Sequence, residues 1–114
     1  MKRINRWVVV VRPRSPFYDW ANSLQDDQPR LTPAEFIGDA TVLLIPDQRD
    51  RDSADGFMTA RFERVFEHFL NLRVDDPLVW PQGRSLEMFN AWFEVEIHQN
   101  AMDVAEERIK VREF

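Results

Sequence analysis

Glu94, Glu96 and His98 alternate through FEVEIH, and no other stretch gathers so many residues able to do chemistry at a regular spacing. On a strand, alternate side chains share one face about 6–7 Å apart. Two carboxylates and an imidazole placed this way could converge on a hard divalent cation, with Asp47 or Asp103 completing the ligand set. His98 with Glu96 or Asp103 is also a candidate general acid–base pair, provided that a pocket shifts their pKa values. Water satisfies an exposed carboxylate face equally well, so the spacing permits this chemistry without dictating it. Arg84, which follows the Trp80-Pro81 corner, is a candidate of another kind. A guanidinium beside aromatic rings can stack on them and pair with a carboxylate at once, which suits a structural ion pair.

Other chemistries lack their parts. The chain has no cysteine, which excludes thiolate catalysis, disulfides, Cys-ligated zinc and iron–sulfur clusters. Its glycines, Gly38, Gly56 and Gly83, form no phosphate-cradling loop, so nucleotide binding is not expected. Ser15, Ser23, Ser53 and Ser85 sit near helix starts or turns, none within a nucleophile elbow, and capping accounts for them better. His68 reads as a boundary residue that packs its ring on a helix. No signature points to a cofactor, and no metal is assigned to any residue set.

Positioning Glu94, Glu96 and His98 requires the elements around them. Trp7-Val8-Val9-Val10-Val11 is a continuous apolar run stopped by Pro13, which predicts a central strand covered on both faces. Ser15-Pro16 opens a short amphipathic helix carrying Phe17, Trp20, Ala21 and Leu24, ended by Asp26-Asp27-Gln28-Pro29. Thr32-Pro33-Ala34-Glu35 is a capping box, predicting one or two helical turns closed by Gly38. Thr41 to Ile45 reads as a second buried strand stopped by Pro46. The connection between the two strands is long enough for a right-handed parallel crossover.

From a cap at Asp52 or Ser53, a stripe from Phe57 to Leu72 predicts the longest helix, running to about Arg73. Another helix begins at Ser85, with Leu86, Phe89, Trp92 and Phe93 inward. The period then changes from helical to alternating, with Phe93, Val95 and Ile97 on one side and Glu94, Glu96 and His98 on the other. In the tail, Met102 and Val104 could prolong that strand, while Ile109 and Val111 alternate in ERIKVREF as an edge strand or docking arm would. The fold class expected is α+β, a mixed α/β arrangement in which a three- to four-stranded sheet carries helices on at least one face.

With 114 residues, 44% hydrophobic and 31% charged, the chain suits a single globular domain over residues 1–114. Its basic start precedes only five apolar residues, short of the roughly 7–15 of a signal core or the about 20 of a membrane span. A cytoplasmic protein without a membrane segment is therefore expected. Residues 1–14 hold five bases and no acid, leaving ten bases against twenty acids in the remainder. Such an acidic body favours basic protein partners and disfavours nucleic acid, although Arg3, Arg6, Arg12 and Arg14 could reach phosphates locally.

The combination of VVVVRP with PFYDW, VLLIPD, FERVFEHFL and WPQGR followed by FNAWFEVEIH resembles a family of small uncharacterised bacterial proteins. The likeness runs to about Val104, and the charged tail beyond it is less typical. It implies a stand-alone α/β domain in a bacterial cytoplasm, an acid at the strand end like Asp47 and a histidine like His98, without an activity or cofactor. The function expected is a small acidic protein-interaction or regulatory module, acting on a protein partner or as a homodimer. The alternative is a small metal-dependent hydrolase using Asp47, Glu96, His98 and Asp103.

Overall fold

The computed structural model describes residues 1–24, 26–31 and 40–113. Along the chain run β1 (Lys2–Arg3), β2 (Arg6–Pro13), α1 (Ser15–Ser23), β3 (Thr41–Pro46), α2 (Arg51–Thr59), α3 (Phe62–Arg73), α4 (Leu86–Trp92), β4 (Phe93–His98) and β5 (Met102–Asp103), with a short 3-10 turn at Pro77–Val79. The described residues form an α+β fold built on a three-stranded sheet of order β3-β2-β4. A two-stranded ribbon, β1 with β5, continues the ends of β2 and β4. The turns expected over Thr32–Gly38 lie outside the described residues.

β2 is the central strand, but among the described residues helices cover only one of its faces. Trp7, Val9, Val11 and Pro13 are buried, whereas Val8, Val10 and Arg12 are half-buried on the opposite side. An uninterrupted apolar run hides its alternation, because the outward valines look like the inward ones until neighbours are placed. The same correction applies to β3, where Ile45 is buried and Val42 and Leu44 are exposed.

The first two long strands pair antiparallel rather than parallel, with Arg6 opposite Pro46 and Val11 opposite Thr41. A parallel crossover needs the chain to return to the far end of β2. Here α1 is too short to carry it there. Its Tyr18 hydroxyl donates to the Pro13 carbonyl, holding the helix near the end of β2. Asn22 then bonds the backbone of Leu31 in both directions, folding the chain back toward that same end. β3 therefore starts where β2 stopped.

The longest predicted helix is two helices. Asp50, not Asp52 or Ser53, is its cap, accepting from the Ser53 backbone while the Ser53 hydroxyl accepts from Asp50 in a capping box. α2 ends at Thr59, capped by Ala60, and Arg61 stands at the start of α3: its φ of −123° leaves helical geometry, its Nη1 donates to the Phe57 carbonyl, and its guanidinium lies 3.5 Å from the Phe57 ring centroid. The apolar stripe survives the break because Ala54 and Met58 before it, and Val65, Phe66, Phe69 and Leu70 after it, all reach the same core.

That core is largely aromatic. Phe93 packs against Phe66 at 5.2 Å between ring centroids, Phe69 at 4.8 Å, Phe89 at 5.1 Å and Phe17 at 5.7 Å, which joins α1, α3, α4 and β4 in one cluster. Phe66 is fully buried and Phe93 nearly so. Trp92, only half-buried, lies against Phe66 and Trp20 at its margin. Phe66→Ala or Phe93→Ala should each lower unfolding free energy by about 3–5 kcal/mol in urea titrations, with a smaller loss for Trp92→Ala. Equal losses at all three would contradict this placement of the core.

Candidate functional site

Three backbone decisions place the charged face. Ser85 caps α4 by accepting from the Met88 amide, and the helix ends at Trp92, where Phe93 adopts extended geometry. The Trp92 carbonyl accepts from the Arg14 amide, so the change from helix to strand is anchored on the chain just beyond β2. β4 then pairs antiparallel with β2, setting Glu94 opposite Arg12, Glu96 opposite Val10 and His98 opposite Val8. Burial of Phe93 and Ile97 sends all three polar side chains to the other face.

On that face Glu96 is the hub. One oxygen takes the Arg12 Nη1 at 2.7 Å, reached diagonally across the strand pair, and the other stands 3.3 Å from His98 Nε2. The hydrogen bond with the His98 ring, followed by the charge of Arg12, holds the Glu96 carboxyl below its ordinary value. A carboxylate so engaged is ionised at neutral pH, and each of its oxygens keeps a lone pair on the exposed side. Its lowered pKa is the opposite of what a general acid needs.

The other candidates lie elsewhere. Asp47 follows β3, on the opposite edge of the sheet from β4, in an open cleft with Arg3, Asn5, Arg49 and Gln99. Asp103 lies on β5 and accepts from the Ala105 amide, closing a local turn. Among the described residues no group of three His, Asp or Glu side chains is placed to hold a metal ion. Arg84 is far from this face. It pairs with Glu67 at 3.2 Å and Glu63 at 3.5 Å, donates to the Pro81 carbonyl, and lies about 6 Å from the Trp80 and Phe66 rings. His68 sets its ring edge-on to Phe69 and shares a hydrogen bond with Thr41.

The register adds residues that sequence reasoning missed. Leu44, Val8 and His98 form one row across the open face, and Val42, Val10 and Glu96 form the next. Val42 is 57% and Leu44 50% exposed. The open face is therefore divided, apolar along β3 and the middle of β2, charged along β4. One signal was present in the sequence: the charged side of β4 had to be shared by whichever strands paired with it. Among the described residues no helix is long and apolar enough to cross a membrane.

Among the described residues, fold and site together define an α+β arrangement with one sheet face packed and the other open. No family model, curated protein or solved structure matches the chain.

Because the Glu96 carboxyl is depressed in the folded state, its pairing adds stability above the ordinary glutamate range. That contribution fades as pH falls through the lower folded value. Glu96→Gln with His98→Ala should leave the neutral-pH Tm within a few degrees of wild type, and the difference should vanish in acid. A Tm series against pH checks this, and a large neutral-pH collapse would show that the cluster supports the fold.

Proposed function

We propose that the protein is a small acidic interaction or regulatory module that binds a partner protein across the open face of its sheet. The observation that carries this reading is the exposure of Val42 and Leu44 beside Val8 and Val10, in one continuous apolar band bordered on β4 by Glu96 and His98, with Glu94 one row further on. Water is a poor neighbour for aligned β-branched and leucyl side chains. A contiguous exposed apolar patch rimmed by polar residues is a common mark of a binding surface. The carboxylate border and the net charge of −5 suit a partner segment that combines apolar side chains with lysine or arginine. The family resemblance would set such a module in a bacterial cytoplasm.

Two exposed positions separate binding from folding. Val42→Lys with Leu44→Lys should keep the circular dichroism spectrum and Tm close to wild type. The same change should abolish retention of the partner that the wild-type protein captures and that reconstitutes from purified components. Undiminished binding by the double variant would remove the open face from the interaction.

A further inference from the structure

Beyond β5 the chain runs as an exposed arm without regular structure, residues 104–113. Val104 is 76%, Ile109 63% and Val111 83% exposed. The arm nevertheless has a strict strand pattern: Arg108, Lys110 and Arg112 alternate with Ile109 and Val111. As a strand it would show three cations on one face and two β-branched side chains on the other.

The complementary pattern lies on β4. Its outer edge is unpaired among the described residues, since the sheet ends there. Toward the core it shows Val95 and Ile97, and toward the open face Glu94, Glu96 and His98. A strand added to this edge with Ile109 and Val111 on the core side sets its cations against the carboxylates. The β3 edge fits the arm poorly. There Val42 and Leu44 occupy the open side, and Arg61, Arg64 and His68 rim the groove beneath.

The arm cannot reach these partners within its own chain. β5 carries the backbone away from β4, and the return must begin after Asp103. Counted residue for residue, even a hairpin with a two-residue loop at Val104-Ala105 would bring only Glu113 level with Glu96. Arg112 would then fall beside Ile97, out of phase by one, with its charge toward the core.

We propose that two copies of the chain exchange these arms, residues 108–113 of each adding as an antiparallel fourth strand to the β4 edge of the other. The register with Ile109 opposite Ile97 places Val111 opposite Val95, Lys110 opposite Glu96 and Arg112 opposite Glu94. Opposite charges facing across strands and main-chain bonds along a free edge both favour this addition. Reciprocal exchange closes a two-fold dimer and removes one exposed edge from each sheet. The inference rests on the interaction reading and names the occupant of its acidic edge as a second copy.

Sedimentation and light scattering of the purified full chain should give twice the 13.6 kDa of one chain. A chain ending at Asp103 should be a folded monomer by circular dichroism. Glu94→Lys with Glu96→Lys should also be monomeric, as should Lys110→Glu with Arg112→Glu, and mixing these two variants should restore a dimer, because each arm then meets an edge of opposite charge. A monomeric wild-type chain, a truncated chain that still dimerises, or folded charge variants that fail to recombine would each overturn arm exchange. Val42 and Leu44 lie off this edge. Partner binding that depends on them and persists in the truncated monomer would keep the interaction reading while the exchange is tested alone.

Discussion

The burial of Phe93 governs the sheet around it. Its ring sits among Phe17, Phe66, Phe69 and Phe89, drawn from α1, α3 and α4, so the first residue of β4 has only one face to which it can turn. Side chains of a regular strand such as β4 alternate, and a slip of one residue would exchange the faces of the whole strand. Fixing Phe93 inward therefore fixes Val95 and Ile97 inward and sends Glu94, Glu96 and His98 out. The antiparallel pairing passes the same phase to β2 and from there to β3. Val8, Val10, Val42 and Leu44 consequently share the face that carries the charges.

Charge is distributed to match this division. Arg73 at the end of α3 donates to the Ala21 carbonyl and to Asp26, holding the Asp26 carboxyl below its ordinary value and joining α3 to the segment after α1. Arg84 binds the start of α4 to the carboxylates of α3 while lying beside Trp80 and Phe66. These two arginines are mostly buried and link helices. Arg12, by contrast, is half-exposed and serves the open face through Glu96. Arg73 and Arg84 thus hold the packed side, Arg12 neutralises part of the open side, and Glu94 is exposed at the edge.

Much of the fold was legible in the residues. The helix beginning at Ser85, the change of period at Phe93 and the strand nature of Thr41 to Ile45 all correspond to observed elements, because each has its own cap or period. The break at Ala60 and Arg61 was hidden, since two helices that face one core keep a single stripe across a short interruption. Antiparallel pairing was hidden too. Loop length permits a crossover without requiring one, and the tether from Asn22 to Leu31 depends on side-chain geometry absent from any local pattern.

For the candidate site, local sequence determined that Glu94, Glu96 and His98 share a face, because strand geometry makes alternate residues neighbours wherever the strand goes. It likewise determined the opposed patterns of β4 and the arm, one acidic and one basic with apolar residues between. Which residues complete the face was a tertiary matter. Asp47 and Asp103 are compatible with a metal site in composition, yet one follows the opposite edge strand and the other lies on the ribbon beyond β4. Arg12, Val8, Val10, Val42 and Leu44 joined the face through the register of three strands whose central member is separated from the others by long stretches of chain. Local alternation acts over a few residues and can be read from order alone, whereas neighbours across strands are chosen by how the aromatic core closes.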